Sequence, residues 1–284
     1  MKEGLPSATA DSVAQWRAAH QLLDNPLVFE DPLALRIIGK EAASQLTADP
    51  QRFEATWVSS YLRAFLAARS RIAEDELAKR VLHGVRQYVI LGAGLDTFAY
   101  RSPYPEGTLT IFEVDHPTTQ AYKRERLKEA DIAISLDVRF VPIDFETRTL
   151  SDGLIAAGFA FDAPTFFSWL GVTLYLPVEV VMWTLRFVAS FPHESGIAFD
   201  YTISPSLMTG AGRAAFHALA ARVAETGEVW RTFFDPARLA EDVREMGFGC
   251  VRDWTPGEIN AHYFSNRDDG LIVGGLSHVM CARV

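Results

Sequence analysis

The chain has 284 residues, of which 49% are hydrophobic, and its formal net charge is −9. This apolar content is enough for a sizeable core, and the length suits one large α/β domain or two smaller ones. The acidic balance argues against a surface that follows nucleic-acid phosphates or an anionic membrane. We therefore expect a small-molecule partner, with neither nucleic acid nor membrane, and leave the oligomeric state open.

Cysteine and histidine usage predicts neither disulfides nor a metal site. Cys250 and Cys281 are the two cysteines, and the seven histidines show no metal-ligand spacing with them or with one another. The N-terminus lacks the apolar core of a signal peptide, and no uninterrupted apolar run reaches the roughly 20 residues that cross a bilayer. These features predict a cytoplasmic protein.

The secondary-structure pattern predicts a mixed α/β fold. A helical pattern runs from about residue 11 to residue 80 and includes one longer amphipathic helix over 57–79. Strand and helix patterns then alternate, which indicates a doubly wound parallel sheet, and two final strands add an antiparallel pair. The predicted strands cover residues 87–91, 109–114, 139–143, 165–169, 196–203, 249–254 and 276–284.

The chain contains no internal repeat and no linker that would divide it. We predict a single domain over 1–284, with a helical N-terminal cap over 1–80 and an α/β core over 81–284. The core is a Rossmann-like, seven-stranded mixed sheet. Further helices are predicted over 207–225 and 236–246, the first of them within a helical insertion near 205–230.

The first predicted strand runs directly into Gly92 and Gly94, which are separated by Ala93. Glycines at a strand end let the backbone turn sharply and approach a ligand, and they leave N–H groups for polar ligand atoms. A third glycine, typical of dinucleotide-binding turns, is replaced by Thr97. The turn therefore predicts a nucleotide-like ligand and favours one other than a nicotinamide dinucleotide, although a short Gly-x-Gly motif also occurs in ordinary tight turns.

Acidic side chains follow the next two predicted strands. Glu113 and Asp115 lie at the end of the second strand, roughly 20 residues after the glycine turn, where a carboxylate can accept both ribose hydroxyls. Asp144 and Phe145 follow the third strand and suit an adenine amino group and ring. A lone strand-end Asp is also a common helix N-cap. Together, however, the three strand ends predict an adenosine site.

These motifs resemble class I S-adenosylmethionine-dependent methyltransferases, and within them the leucine carboxyl methyltransferase-like group that includes bacterial polyketide O-methyltransferases. The resemblance covers nearly the whole chain. It rests on the motifs above, on Arg101 and Lys123, on residues 171–176 (GVTLYL) and on residues 29–34 (FEDPLA). The last segment is similar to the group's N-terminal Asp-Pro signature.

The resemblance implies S-adenosyl-L-methionine as the cofactor. Arg69 would hold its methionine carboxylate, since a guanidinium binds that planar anion bidentately, and we favour Arg69 over Arg71. Glu113 is the alternative to Asp115 as the ribose ligand. The implied cofactor-binding residues are Arg69, Gly92, Ala93, Gly94, Asp115, Asp144, Phe145 and Trp169.

One position departs from the pattern of the resembling group. Leu170 stands where many relatives carry an acid that contacts the cofactor ammonium. Backbone carbonyls near Trp169 or Gly92 could take its place. We also expect Asp96 and Arg101 to form an ion pair that shapes the glycine turn.

Fewer sequence features indicate which residues bind the methyl acceptor. Arg17 and His20 lie on the segment that covers the active site in the resembling group, although both could equally be surface residues. Tyr175 and His20 are the catalytic candidates, and Arg17, Tyr175 and Tyr201 are the candidates for binding substrate. Three further aromatic residues could line an apolar pocket or belong to the core: Phe98, Trp169 and Phe216.

The predicted function is O-methylation of a small metabolite. Methyl transfer from a sulfonium is an in-line displacement that needs alignment, desolvation and a deprotonated acceptor. A carboxylate acceptor needs no base, whereas an enol or phenol needs one such as His20, His116 or Tyr175. The N-terminal helices and residues 207–225 are expected to form a lid. A non-catalytic module that binds S-adenosylmethionine or S-adenosylhomocysteine and an NAD(P)-dependent oxidoreductase remain the alternatives.

Overall fold

A computed structural model describes residues 8–54, 56–144, 147–225 and 228–284. Its strands form one seven-stranded sheet in the order β3-β2-β1-β4-β5-β7-β6. The mixed seven-stranded prediction is therefore confirmed. Strands β1 to β7 are Gln87–Leu91, Thr110–Asp115, Val138–Pro142, Thr165–Trp169, Gly196–Thr202, Cys250–Trp254 and Ser277–Arg283.

The sheet reverses its strand order between β1 and β4. Strands β1 to β5 are parallel, and β1 pairs with β2 on one side and with β4 on the other. Strand β7 is inserted antiparallel between β5 and β6, so the last two strands are neighbours, as predicted. In open α/β sheets, ligands bind beyond the carboxyl ends of the strands at such a switch point.

Helices cover both faces of the sheet, and four of them precede it as an N-terminal extension. Across the described ranges, none of the helices has both the length and the apolar character to cross a membrane. Helices α1 to α11 are Ala8–Leu23, Ala34–Ile37, Lys40–Ala48, Trp57–Leu82, Phe98–Arg101, Pro117–Glu129, Leu150–Ala156, Val178–Ala189, Gly210–Glu225, Pro236–Glu245 and Pro256–Ile259. Short 3₁₀ turns occupy Pro50–Glu54, Thr173–Tyr175 and Pro205–Leu207, and a π turn follows α11 at Asn260–Phe264.

The alternation of side chains along the strands divides the core between the two faces of the sheet. In β1, Tyr88 and Ile90 face the cluster that includes α4, whereas Val89 and Leu91 face the cluster that includes α7, α8 and α10. A third cluster lies between the N-terminal extension and the α/β core: Trp16 packs edge-on against Phe53, and the cluster also includes Leu95 and Leu127. The extension thus packs on the α/β core beside the glycine turn.

Helix α9 begins three residues later than predicted because Pro205 starts a separate 3₁₀ turn. The hydroxyl of Thr209 then accepts the backbone N–H of Gly212, which caps the new helix. Helix α4 has nearly the predicted bounds, since its apolar face packs on the sheet over most of its length.

Candidate active site

A cavity of about 540 Å³ opens at the carboxyl ends of β1, β2 and β4, and we call it the strand-end cavity. The glycine turn forms one wall, with φ of 68° at Gly92 and 44° at Gly94. A Cβ at Gly92 would lie only 2.4 Å from Cγ2 of Val172, and L side chains rarely adopt this φ. Glycine is therefore required at this position for both space and backbone conformation.

Asp115 lies at the end of β2 and lines the strand-end cavity. Its Oδ2 accepts the backbone N–H of Gly94 at 2.6 Å, and its Oδ1 accepts that of His116 at 2.6 Å. Burial raises the pKa of Asp115, while these two backbone hydrogen bonds act to lower it. Each carboxylate oxygen has two lone pairs, so both retain acceptor capacity for a ligand.

Glu113, the alternative ribose ligand, does not reach this cavity. It is fully buried and accepts hydrogen bonds from Nζ of Lys123 at 2.7 Å and from the hydroxyl of Tyr100 at 2.8 Å. This alternative was wrong because Glu113 is fully buried and does not line the cavity. Lys123, part of the resembling motif, therefore has a structural role.

The residues expected to contact the adenine and the ammonium group of the cofactor do not have side chains in the lining of the strand-end cavity within the described ranges. Asp144 lies past the end of β3 and outside the cavity lining in the described part of the chain, and Phe145 lies outside the described residues. The Trp169 side chain packs in the core cluster with α8, while Ser168 and Leu170 line the cavity. Alternation along β4 turns the Trp169 side chain to the other face of the sheet, so the side chain does not line the cavity, while the contact of the cofactor ammonium with a backbone carbonyl near Trp169 stays a prediction.

Arg69 and Asp200 form a buried ion pair beside this cavity. Nη1 of Arg69 donates to Oδ2 of Asp200 at 2.9 Å, and the backbone N–H of Gly171 donates to Oδ1 at 2.5 Å. A Cβ at Gly171 would lie 2.7 Å from Nη2 of Arg69, so the glycine makes room for the guanidinium. Arg71, by contrast, is half exposed and paired with Asp75.

Asp200 was not identified from the sequence. It interrupts an otherwise apolar strand near its carboxyl end, which is the same signal that identified Asp115 on β2. Its carboxylate accepts the N–H of Gly171, the residue that follows Leu170, and therefore lies close to Leu170. Strand β5, the neighbour of β4, thus places Asp200 at the carboxyl-end edge of the sheet, where β4 itself has Leu170 in place of an acid.

Asp31, in the N-terminal Asp-Pro signature, connects the extension to the glycine turn. Its side chain is buried, accepts the hydroxyl of Thr97 at 2.7 Å and pairs with Nε of Arg17 at 2.8 Å. Arg101 lies 3.5 Å from its other oxygen, which also accepts the N–H of Leu33. Thr97, at the position of the missing third glycine, is therefore an anchor for the extension.

The expected ion pair between Asp96 and Arg101 is not formed. Arg101 pairs with Glu74 on α4, and this strong pairing raises its pKa against the effect of burial. Asp96 instead accepts the N–H of Phe98 at 2.8 Å and lies 3.7 Å from Nη1 of Arg17. Arg17, a substrate-binding candidate, lines the strand-end cavity, but its guanidinium is engaged by acids and by a turn carbonyl.

His20 lies away from both cavities described here. Its Nδ1 is 2.6 Å from Asp24, and its Nε2 accepts the backbone N–H groups of Val28 and Phe29. This catalytic candidate is corrected, because both ring nitrogens serve the fold of the extension. His116 caps α6 by accepting a backbone N–H at Nδ1 and does not line either cavity within the described ranges.

A second cavity of about 540 Å³ adjoins the first, and we call it the apolar cavity. Its walls come mainly from α1, α4, α9 and the loop 272–276. The two cavities share Thr9, Val13, Leu66, Arg69, Gly171 and Tyr175. Anything bound in one cavity would therefore lie next to anything bound in the other.

Tyr175 lines both cavities and Tyr201 lines the apolar one. Burial raises the pKa of Tyr175, so its phenol stays protonated at neutral pH and can donate a hydrogen bond. The Tyr201 ring packs against Phe199 and Phe234, and its hydroxyl donates to Asp253 at 2.9 Å. Three other aromatic candidates do not line either cavity in the described part of the chain and belong to the packed interior: Phe98, Trp169 and Phe216.

No group of three or more His, Cys, Asp or Glu side chains that could hold a metal ion occurs within the described ranges. The ionisable side chains at these cavities include Asp115, Arg69, Asp200 and Tyr175, and Arg17, Asp96, Glu228 and Arg231 also line the strand-end cavity. An acid at the end of β2, a glycine turn and a cation beside an apolar cavity suit a nucleoside-containing cofactor and an organic acceptor.

Comparison with known proteins agrees with this geometry. The family model for leucine carboxyl methyltransferase matches residues 10–189. "Putative S-adenosyl-L-methionine-dependent methyltransferase YktD" of Bacillus subtilis (strain 168) is 35% identical over 294 positions, which cover 95% of each chain.

Solved structures show the same fold. A "putative methyltransferase" from Thermobifida fusca YX has a TM-score of 0.57 at 16% identity and covers 99% of this chain and 96% of its own. A DUF574 family protein from Streptomyces avermitilis has a TM-score of 0.52 at 16% identity, with 96% of both chains covered. The family match and the relative also confirm S-adenosyl-L-methionine as the cofactor and disfavour the oxidoreductase and non-catalytic alternatives. The chain belongs to the leucine carboxyl methyltransferase family and is an S-adenosyl-L-methionine-dependent methyltransferase.

Proposed function

We propose that this enzyme methylates a carboxylate oxygen of a small organic acid. The observation that carries the proposal is the absence of an available base at the apolar cavity. Within the described ranges, no histidine lines this cavity and Asp200 is its one carboxylate, which is held in a buried ion pair with Arg69. A carboxylate acceptor is already deprotonated at neutral pH and needs no base, whereas a phenol does.

The residues of the strand-end cavity fit the cofactor. Its volume falls in the range of about 300–1,000 Å³ that small-ligand pockets span, and Asp115 keeps acceptor capacity for the ribose hydroxyls. Gly92 and Gly94 would lie under the methionine portion, and Arg69 would hold the methionine carboxylate. Asp144 and Phe145 keep the adenine assignment as a prediction. When bound, the cofactor supplies an electrophilic methyl group on a sulfonium.

The chain's own residues would then position the acceptor and exclude water. Tyr175 can donate its phenolic hydrogen to the acceptor oxygen that is not methylated, since its raised pKa keeps that hydrogen in place. A role for Tyr175 as a base is disfavoured for the same reason. Helix α1 lines both cavities, and the hydroxyl of Thr9 donates a hydrogen bond to Glu228, which also lines the strand-end cavity. With α9 over the apolar cavity, α1 would form the lid.

Asp115→Ala is expected to weaken cofactor binding by about 1–3 kcal/mol, because charge-assisted hydrogen bonds to the ribose are lost. Calorimetric titration with S-adenosylhomocysteine measures this change. Burial raises the pKa of Asp115, so the parent's affinity should be constant near neutral pH and fall as the pH drops through that raised value. The variant should lack this decline. Equal affinities for parent and variant at pH 7 would show that Asp115 is not the ribose ligand.

The pH profile of turnover distinguishes a carboxylate acceptor from a phenol. At saturating cofactor, kcat should be flat from pH 8 down to the carboxyl pKa of the acceptor, about 4–5 for an ordinary carboxylic acid. A step in kcat at higher pH, moved or removed by Tyr175→Phe, would instead indicate base catalysis.

The direct test of the proposed function is the chemistry of the product. The enzyme is incubated with S-adenosylmethionine labelled in the methyl group and with a panel of carboxylic acids and phenols. A methyl ester releases labelled methanol in mild alkali, whereas an aryl methyl ether is stable. Alkali-labile product from the acids supports the proposal, and alkali-stable product from the phenols alone would overturn it.

A further inference from the structure

We infer that the acceptor is a monocarboxylic acid with an extended apolar body, and that Ala215 on α9 limits how large that body can be. This inference rests on the proposed carboxyl methylation and adds the class of substrate. It draws on the distribution of charge in the apolar cavity, on the residues of its far wall and on a hydrogen-bond donor near Tyr175.

Charge in the apolar cavity is confined to the side that it shares with the strand-end cavity. Within the described ranges its ionised lining residues are Arg69 and Asp200, and these are paired with each other at 2.9 Å. A second charged group on the substrate would have to enter an apolar region without a partner, which is strongly unfavourable. The substrate is therefore expected to carry one charge, at the shared side, and to be uncharged elsewhere.

The remaining walls are mainly apolar, and the cavity of about 540 Å³ leaves room for an extended body. Helix α4 contributes Val58, Leu62 and Phe65, and α9 contributes Ala215 and Leu219. The small side chain of Ala215 is buried against the cavity, so its size sets the space on that side. A larger residue there would shorten the cavity without touching the strand-end cavity, because Ala215 does not line the latter.

A second neutral donor lies near Tyr175. The indole Nε1 of Trp230 is buried and has no well-aligned hydrogen-bond acceptor within the described part of the chain. It nevertheless lies close to Tyr175, and its N–H acts to lower the pKa of that phenol. Buried donors are normally satisfied, so this one is suited to a ligand oxygen. An acceptor carboxylate at the shared side would present an oxygen to Trp230 and Tyr175 together.

The inference is tested by binding straight-chain acids from butanoic to dodecanoic acid to the full-length enzyme saturated with S-adenosylhomocysteine, which cannot transfer a methyl group. Burying one methylene favours binding by a factor of about four, so Kd should fall about four-fold per added methylene until the cavity is filled. Dicarboxylic acids of equal length should bind about 100-fold more weakly, because their second charge has no partner.

Ala215→Phe should weaken binding of dodecanoic acid at least ten-fold and leave butanoic acid and S-adenosylhomocysteine unaffected. Ala218→Phe is the matched control, since Ala218 is exposed on the same helix and does not line the cavity. Its binding should equal that of the parent throughout. The series on the parent enzyme tests the class of substrate independently of this variant, and Ala215→Val, a smaller enlargement, tests the role of Ala215 where Ala215→Phe does not fold.

The outcomes separate the inference from the proposed function. Affinity that is independent of chain length, or equal binding of mono- and dicarboxylic acids, overturns the inference even if short acids are methylated. Length-dependent binding with no ester formed from any acid supports the cavity's selectivity for apolar bodies and overturns carboxyl methylation. Length-dependent binding with ester formation supports both.

Discussion

Replacing Asp31 with alanine is expected to lower the free energy of unfolding by about 3–5 kcal/mol, because buried Arg17 loses its nearest carboxylate and the buried Thr97 hydroxyl loses its acceptor. The Asp31 side chain is fully buried, pairs with Arg17 and Arg101, and accepts the Thr97 hydroxyl. Urea unfolding measures the change. Affinity for S-adenosylhomocysteine should also fall, since Arg17 and the glycine turn line the strand-end cavity and lose a common anchor.

Glu30→Ala provides the matched control for this prediction. Glu30 is the adjacent acid and is exposed, so removing the same charge there should change stability by no more than about 0.5 kcal/mol. If both variants unfold at the same urea concentration as the parent, Asp31 does not anchor the extension. If Asp31→Ala is destabilised but retains full cofactor affinity, the Asp31 contacts stabilise the fold without positioning the cofactor site.

The contacts of Asp31 could not be predicted from the sequence, although the motif that contains it could be recognised. The Asp-Pro signature identified the family, but its partners Thr97 and Arg101 are about 70 residues away in the chain. No periodicity or spacing relates residues at such separations. The Asp96–Arg101 ion pair was predicted wrongly for the same reason. The two residues are close in the sequence, but the fold places Glu74 of α4 next to Arg101, and Arg101 pairs with Glu74.

The sheet, in contrast, was predicted closely. Strands β1 and β4 have the predicted bounds because both are fully buried apolar runs that end at a glycine turn or a change of pattern. Asp115 and the glycine turn line a cavity because parallel strands end at the same edge of a sheet, which sequence order alone can indicate. His20 was misjudged because helical pattern gives no information on whether a ring nitrogen faces a cavity or a backbone N–H.

The second large effect is expected at Arg69. Arg69→Met should lower the free energy of unfolding by about 3–5 kcal/mol, because Asp200 would be left buried without its cation. It should also weaken cofactor binding, since each charge-assisted hydrogen bond to the methionine carboxylate contributes about 1.5–3 kcal/mol. Loss of binding in this single variant has two possible causes, namely a lost contact or a distorted site.

The double variant Arg69→Met, Asp200→Asn separates these causes. Replacing both members of a buried ion pair is often close to neutral, so stability should recover most of the loss. An asparagine can still accept the N–H of Gly171, which keeps the backbone after β4 in place. We expect unfolding near that of the parent together with cofactor affinity as low as in the single variant. Recovery of both properties would mean that Arg69 only neutralises Asp200, and the methionine carboxylate would then have to bind elsewhere in the strand-end cavity.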